Sequence, residues 1–582
     1  MTQTLEPPAD NDAVTISADE VSDDAAASGP RRLPWADDIP SVTAEDMRPI
    51  KWQLTLSLVG LALGALMGIM QAMERLNINL YDSTPLSTYY QGLTIHGVAL
   101  ALVFTFCFAN AFLSLTVMKG FQRPLANRGI SDLSAMLAWA GVVFAAYAML
   151  TNQASVLFTF YAPLKAVPSF YFGAALLLIS TWLVLLNMFL TYFGWRRDNP
   201  GQHVPLLAFI SIISYVMWFI SSLGIAVEVL GFLLPWSMGL IDKVDPQFTR
   251  TLFWFTGHPI VYFWLMPIYV SWYMMLPKMV GGRVLSDGIT RMVFIAFLLL
   301  IPVGVHHQFT DPGIPFSSKT IQWLLTFCIF YPSIITLFSV VSGLEEGARS
   351  RGGKGKLAWM LKLPWGDPAI AGQLLAGLGF MLGGMSGLIN ASFTINLVVH
   401  NTAFIPGHFH LTVGTAVALS IMAISYWLVP YLTGKELWSR RLGVVQVFMW
   451  FGGVLIFSRG QMHGGLHGMP RRTMINDATY LDQFGSWDLA NIMTGIGGTI
   501  MFLSAVLFFV NVIVTLTKDP DRVQRFIPIA EVRSKLENGS WMWLDDIVRW
   551  TAVAFVFSAI IYGEVFFHLL PLNAVSRGLR LW

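Results

Sequence analysis

The feature of this sequence that most restricts its fold is a series of long apolar stretches with almost no charge. A helix needs about 20 consecutive apolar residues to cross the hydrocarbon core of a bilayer. Thirteen stretches meet that requirement, near residues 53–72, 93–118, 133–151, 169–194, 206–235, 251–276, 289–308, 320–343, 369–392, 402–429, 442–461, 488–516 and 546–570. Only 12% of the 582 residues are charged, about half the fraction of a soluble globular domain. We therefore predict an all-α polytopic membrane bundle whose helices, about 13 in number, are called spans one to thirteen here.

Residues 1–48 differ from the rest of the chain. They are acidic, rich in Ala, Ser and Pro, and poor in large apolar residues, which predicts a disordered tail before a transmembrane domain at residues 49–582. A basic segment followed by an apolar one is missing here, so we expect no signal peptide, and span one stays as an anchor. The net charge of +2 gives no reason to expect a nucleic-acid partner.

Lys and Arg are concentrated in alternate loops, and this bias predicts the orientation in the membrane. The second, fourth, sixth, eighth, tenth and twelfth loops are basic, whereas the odd-numbered loops are poor in Lys and Arg. The even loops are therefore expected in the cytoplasm, with the N-terminus inside and the C-terminus outside. Arg471 and Arg472 are the exception, because they lie in an odd-numbered loop.

Six histidines from four spans fall at a similar depth once this orientation is applied. They lie in the outer half of the membrane, in spans two, six, seven and ten: His96, His258, His306, His307, His408 and His410. Ionisable residues at such depth are functional candidates. One alternative is that each histidine bridges two helices, and another is a non-redox transporter or channel, which would need polar groups along a whole pathway. Because imidazole is a common ligand of iron and copper, six at one depth favour a metal centre.

The spacing of these histidines divides them into groups. Residues two apart on a helix point about 200° apart, so His408 and His410 face opposite sides of span ten and suit two flat cofactors. His258, His306 and His307 offer three imidazoles for a separate ion. Tyr262 lies one turn from His258 on the same helix face.

Four segments carry a family resemblance: LTIHGVAL, WFTGHPIVYFW, VGVHHQF and HNTAFIPGHFHLTVGT. They resemble the signature segments of subunit I of the haem–copper oxygen reductases, and the similarity covers residues 50–570. It implies a catalytic transmembrane domain that reduces dioxygen to water and couples this reaction to proton translocation. It also implies three roles: ligands of a low-spin haem (His96 and His410), the ligand of a high-spin haem (His408) and ligands of a copper ion (His258, His306 and His307).

Tyr262 completes the expected active site. Breaking the O–O bond without releasing peroxide needs four electrons. The high-spin iron can give two, the copper one, and Tyr262 the fourth together with its proton. The resemblance further implies a covalent cross-link between His258 and Tyr262. The alternative is that Tyr262 is an ordinary tyrosine of the hydrophobic core.

Position 260 distinguishes branches of the family. Mitochondrial-like members have a glutamate there that ends a proton channel, whereas this chain has Ile260 and resembles the B branch. A single proton route is then expected along hydroxyl residues of spans six and eight, namely Tyr269, Tyr273, Ser333, Thr336 and Ser339. The alternative is that each Ser or Thr hydroxyl bonds the carbonyl one turn back.

The exceptional pair Arg471 and Arg472 lies outside the histidine layer, where haem propionates are expected, and guanidinium binds carboxylate well. His400 and Asn401 resemble residues near the high-spin haem propionates. B-branch relatives can carry aspartate at the position of Asn396. No role is assigned to Glu228, His203, His463, His467 or His568.

The resemblance also implies partners and cofactors. The cysteines Cys107 and Cys328 form no metal motif, so electrons should enter through a second subunit, expected to carry a dinuclear copper centre, alongside small extra subunits. Cytochrome c is the favoured donor, with quinol as the alternative. The low-spin haem is expected to be A- or B-type and the high-spin haem A-type. The expected location is a bacterial or archaeal plasma membrane. A nitric oxide reductase is the less favoured activity, since its non-haem iron site generally needs an added carboxylate.

Overall fold

The computed structural model describes residues 33–474, 485–519, 525–572 and 575–580. Within these ranges, eleven helices are long and apolar enough to cross a membrane. They are Ala44–Glu74, Tyr89–Phe121, Arg128–Leu150, Pro168–Asp198, Leu206–Ser237, Phe316–Ser350, Pro368–Ala391, Phe404–Thr433, Arg440–Leu466, Asp488–Thr517 and Ile547–Leu569. Each overlaps one predicted stretch, and the all-α membrane fold is confirmed.

The two remaining predicted spans, six and seven, are interrupted helices. Span six consists of Pro246–Gly257 and Pro259–Met274, with His258 at the break. Proline has no backbone N–H, so Pro259 cannot bond the carbonyl one turn back, and the helix is broken there. Span seven is helical at Asp287–Leu300 and continues as a 3₁₀ turn at Gly304–Gln308. The sequence predicted a continuous helix to residue 308, but Pro302 has no backbone N–H to bond the carbonyl one turn back, and the regular helix ends before it.

Three spans contain a π-helical turn, which the sequence did not predict. Two of these turns, Ala99–Phe104 and Val413–Leu419, begin three residues after His96 and His410. The third, Val227–Leu233, lies in span five and contains Glu228. π-helical turns are frequent at functional sites because they displace the following side chains around the helix.

The spans differ in how much of their surface faces other helices. Spans two and five are almost entirely buried, whereas only about a third of the residues in the apolar parts of spans eight, twelve and thirteen are buried. Large exposed residues such as Phe338 and Ile560 therefore belong to the lipid-facing surface. The loops preceding spans seven and thirteen meet in a short parallel pair of strands, Val284–Ser286 and Val532–Ser534.

The structure corrects the boundary of the predicted disordered tail. Residues 34–48 are part of the folded unit, and helix one begins at Ala44 after a capping box formed by Thr43 and Asp46. Asp38 is almost fully buried; its carboxylate lies 2.5 Å from Lys119 Nζ and accepts a hydrogen bond of 3.0 Å from the Tyr431 hydroxyl. Composition missed this segment because a few buried contacts, rather than its overall polarity, hold it in place. Residues 1–32 lie outside the described residues.

Candidate active site

A cavity of about 670 Å³ lies within the helix bundle and has a mostly apolar wall. The structure brings all six predicted ligand histidines to this wall. Tyr262, Arg471, Arg472 and His400 line the same cavity. The residues that the sequence placed at one depth therefore surround one space.

Three histidines from spans six and seven form a compact group. One ring nitrogen from each of His258, His306 and His307 lies within 4.8 Å of the others. His258 Nδ1 is 3.1 Å from His307 Nε2, and the ring centres of His258 and His306 are 4.2 Å apart. The break at Pro259 and the 3₁₀ turn at Gly304–Gln308 make this convergence possible, since neither ligand segment is a regular helix there. Three neutral imidazoles converging in this way fit a copper ion.

The orientation of these rings is fixed by their neighbours. His306 Nδ1 is 2.8 Å from Thr326 Oγ1, and that hydroxyl donates to the carbonyl of Gln322 at 2.6 Å. Because the Thr326 proton is already used, His306 Nδ1 must be the donor, and its Nε2 lone pair is left for a metal. His307 is stacked on Trp254, with ring centres 4.0 Å apart and an angle of 13° between the rings.

The side chains of His258 and Tyr262 are neighbours. Their ring centres are 4.9 Å apart. Nε2 of His258 is buried and forms no hydrogen bond with the described residues. This nitrogen, on the other side of the ring from the one that faces His307, is the atom available for the cross-link implied by the family resemblance.

His96 and His410 form a separate pair across the cavity. Their rings are nearly parallel, at 14°, with centres 6.2 Å apart. Rings bound on opposite sides of one metal through bonds of about 2 Å have centres about 6 Å apart. The Nδ1 atoms of His96 and His410 each lie 2.8 Å from a backbone carbonyl, of Gly64 and Pro406 respectively. Both rings therefore present Nε2, and the pair fits the two axial positions of a haem iron.

His408 lies on the other side of span ten from His410. Its Nδ1 is 2.9 Å from Ser386 Oγ, which donates to the Gly383 carbonyl at 2.7 Å, so this ring too presents Nε2. A methyl group on Gly387 would stand 3.2 Å from the His408 ring. The equivalent atom on Gly68 would stand 3.2 Å from the ring of His96. Glycine thus leaves room for both imidazoles.

Two adjacent arginines line the cavity. Arg471 donates to Asn401 Oδ1 at 2.8 Å, and Arg472 donates to Thr159 Oγ1 at 3.1 Å. Burial, reinforced by the charge of Arg472, lowers the pKa of Arg471 to about 9. Among the residues that the structure describes, neither guanidinium forms an ion pair with a carboxylate. Two poorly hydrated cations without protein anions fit the propionates of a haem.

His400 lies close to this arginine pair. It follows the short helix Phe393–Val399. Burial and the charge of Arg471 lower the pKa of His400 to about 4, so its imidazole is neutral.

Arg472 adopts a left-handed backbone conformation, with φ 56°, which costs about 1–2 kcal/mol outside glycine. Strain of this kind is typical of functional segments.

The hydroxyl residues of spans six and eight face one another below Tyr262. Tyr273 donates to Thr336 Oγ1 at 3.2 Å, while the Thr336 hydroxyl donates to the Pro332 carbonyl one turn back at 2.8 Å. Ser333 lies beside Tyr269 and also lines the cavity. The hydroxyls of Tyr269 and Ser339 are buried and complete no hydrogen bond of ordinary geometry within the described residues. Buried hydroxyls without protein partners are suited to hold water.

The unassigned residues lie elsewhere. His203 forms a buried cluster with Asp545 and Arg291 near the N-terminal end of span five. His463 and His467 are neighbours at the C-terminal end of span eleven, and His568 is exposed near the end of span thirteen. Glu228 is fully buried, and neither of its carboxylate oxygens has a hydrogen-bond partner among the described residues.

Sequence reasoning missed the residues that orient the histidines. Thr326 and Ser386 are each one hydroxyl in an apolar helix, and nothing in the sequence distinguishes them from hydroxyls that bond their own backbone. Trp254 stacks on His307, which lies in another span, so helical spacing gave no signal for this contact. Arg75 and Gln71 line the cavity but come from the end of span one, which the motifs do not cover.

Comparison with known proteins identifies the family. The family model described as "Cytochrome C and Quinol oxidase polypeptide I" matches residues 48–500. The chain is 41% identical to cytochrome c oxidase subunit 1 of Thermus thermophilus, over 91% of this chain and 96% of that protein. It is 26% identical to cytochrome c oxidase polypeptide 1 of Halobacterium salinarum, over 78% of this chain and 76% of that protein.

A solved structure agrees with these relatives. A haem–copper terminal oxidase dimer determined by cryo-electron microscopy matches with a TM-score of 0.87 and 33% sequence identity, covering 93% of this chain and 96% of that chain. The resemblance drawn from the four histidine segments is confirmed. Proton translocation is general in this family, whose members carry haems and a copper ion and work with a second subunit. This chain belongs to the cytochrome c and quinol oxidase polypeptide I family and is the catalytic subunit of a membrane-bound terminal oxidase that reduces dioxygen to water.

Proposed function

We propose that this subunit binds two haems and one copper ion through the six cavity histidines. His96 and His410 hold the low-spin haem, His408 holds the high-spin haem, and the remaining three imidazoles hold the copper. The observation that carries the proposal is the division of the histidines into a parallel pair 6.2 Å apart and a group with nitrogens within 4.8 Å. When bound, these groups would supply the redox-active metals that reduce dioxygen.

The residues around the metals orient substrate and protons. The apolar wall of the cavity excludes bulk water and admits an apolar molecule such as dioxygen. Tyr262 supplies one electron and the proton of its hydroxyl during cleavage of the O–O bond. We also propose the cross-link between His258 and Tyr262, which the position of the unbonded Nε2 atom supports.

Protons reach Tyr262 from the cytoplasm along spans six and eight. Tyr269, Tyr273, Ser333, Thr336 and Ser339 form this route in our proposal. The contact between Tyr273 and Thr336 and the unbonded hydroxyls of Tyr269 and Ser339 support it, because water between such groups makes a continuous hydrogen-bonded chain. Ile260 carries no proton, so the route does not use that position.

Arg471 and Arg472 bind haem propionates through charge-assisted hydrogen bonds, with His400 nearby as a neutral donor or acceptor. Their unpaired and partly desolvated charges support this role. The lowered pKa of Arg471 rises again when a carboxylate lies beside it, since an opposite charge favours the protonated form.

In our proposal the electron donor is cytochrome c. Its electrons enter through a dinuclear copper centre in the second subunit. Full-length similarity to a cytochrome c oxidase subunit supports this choice. Quinol is the second candidate, because the matching family includes quinol oxidases. The rates at which the purified complex oxidises reduced cytochrome c and a soluble quinol distinguish the two candidate donors. We also propose that the high-spin haem is A-type. The subunit lies in a bacterial or archaeal plasma membrane with its N-terminus in the cytoplasm.

Visible spectroscopy and metal analysis of the purified complex test the cofactor assignment. We expect reduced-minus-oxidised bands of two haems and, in this subunit, one copper per two haem irons. Haem extraction identifies the haem types. Absence of haem bands, or iron in place of copper, would overturn the proposal.

A further inference from the structure

Tyr562 of span thirteen connects two backbone segments near the proposed copper site. Its side chain is fully buried, and its hydroxyl accepts a hydrogen bond of 2.9 Å from the Gly304 N–H. The same hydroxyl donates to the Trp254 carbonyl at 3.4 Å. One oxygen atom therefore bridges the broken helix of span six and the 3₁₀ turn after span seven.

These two segments supply all three proposed copper ligands. Trp254 precedes His258 by one helical turn, and its ring is stacked on His307 at 4.0 Å. Gly304 begins the turn that contains His306 and His307. A shift of either segment relative to the other changes the distances among the three ligand nitrogens.

The two backbones meet in close contact at this point. A methyl group on Gly304 would lie 1.8 Å from the Trp254 carbonyl oxygen and 2.6 Å from the Tyr562 hydroxyl. Only glycine can occupy this position without moving the neighbouring backbone. The Trp254 carbonyl lies in the last turn of its helical segment, where carbonyls lack their regular partners.

The tyrosine itself is held firmly. Its ring packs on Phe255, with centres 4.6 Å apart, and belongs to an apolar cluster with Val305, Val565 and Leu569. The next backbone N–H of the turn, that of Val305, is held from span eight by Gln322 Oε1 at 2.8 Å. Successive N–H groups of the ligand turn are thus fixed by side chains of two different spans.

We propose that Tyr562 is a positioning residue for the copper site and that its hydroxyl sets the distance between the two ligand segments. Copper retention then depends on span thirteen, which contributes no ligand. This inference rests on the proposed copper ligation by His258, His306 and His307.

The test compares variants of the complete oxidase complex. Tyr562→Phe removes the hydroxyl and keeps the ring. We expect copper to be lost to a chelator at roughly tenfold lower chelator concentration, as for other outer-shell partners of metal ligands. X-ray absorption at the copper edge should report fewer imidazole ligands on the remaining copper, while the low-spin haem spectrum stays unchanged.

Two variants control for general destabilisation. Tyr426→Phe removes another buried tyrosine hydroxyl, which donates to Gln446 Oε1 at 2.9 Å, far from the ligand turn in sequence. Val447→Ala shortens a fully buried valine of span eleven, outside the cluster that holds Tyr562. We expect both proteins to retain copper as the unmodified complex does.

Each other outcome overturns the inference. Normal copper retention in Tyr562→Phe shows that the hydroxyl does not position the ligands. Equal copper loss in either control, or loss of the low-spin haem in Tyr562→Phe, shows a general effect on folding. If the unmodified complex contains no copper at all, the proposed copper site itself fails, which is a different result.

Discussion

Substitution of Thr326 by valine tests how the copper ligands are oriented. Thr326 is only 7% exposed, and its hydroxyl accepts the Nδ1–H of His306 at 2.8 Å. Valine keeps the branched shape but removes the acceptor, so the His306 N–H stays buried without a partner. His306 then loses the hydrogen bond that holds its ring in the copper-binding tautomer and orientation.

The expected magnitude follows from two independent estimates. A buried donor left without an acceptor costs about 1–3 kcal/mol. Loss of a hydrogen-bond partner of a metal-binding histidine lowers metal affinity by about 10–100-fold. At about 1.4 kcal/mol per factor of ten, the two ranges agree. We therefore expect Thr326→Val to weaken copper binding by roughly 10–100-fold, and to leave both haems in place.

The assay titrates the purified complex with a copper chelator and measures copper per haem iron. Thr320→Val is the matched control, because it lies on the same helix, is exposed, and donates only to its own backbone at Phe316. A chelator curve for Thr326→Val that overlays those of the control and the unmodified complex would show that this hydrogen bond does not orient His306.

Three further predictions concern the proposed chemistry. His258→Ala should remove copper and dioxygen reduction but keep the low-spin haem spectrum; loss of that spectrum instead would make the ligand assignment wrong. Tyr262→Phe should abolish turnover with both haems retained, and the cross-linked peptide seen by mass spectrometry should disappear; near-normal activity would refute the role as electron and proton donor. Thr336→Val should lower the turnover rate by slowing proton uptake, without changing either haem spectrum, and unchanged turnover would exclude this residue from the route.

Much of the fold could be predicted because the requirements for crossing a membrane are visible in the linear sequence. The length of an apolar stretch gives the number of spans. The position of basic loops predicts their direction. Depth along a helix then followed from the count of residues, which brought His96, His258 and His408 to one layer. The structure places all three on the wall of one cavity.

Where prediction failed, a distant contact outweighed local composition. The polar segment around Asp38 looked disordered, yet Lys119 and Tyr431 bind its carboxylate. The end of span seven looked helical, yet it forms a 3₁₀ turn whose N–H groups are bound by Gln322 and Tyr562. All four partners lie at least 17 residues from their targets in sequence.

By itself, the sequence determined the residue types, their depth and the side of the helix that each occupies. The opposite directions of His408 and His410 follow from a spacing of two residues on one helix. Only the tertiary structure decided which faces meet: that His96 lies opposite His410, and that His258 joins His306 and His307. It also decided that the hydroxyls of Thr326 and Ser386 fix the tautomers of His306 and His408. The physical reason is that helical periodicity is a local property of the chain, whereas ligand geometry depends on packing between helices that are far apart in the sequence.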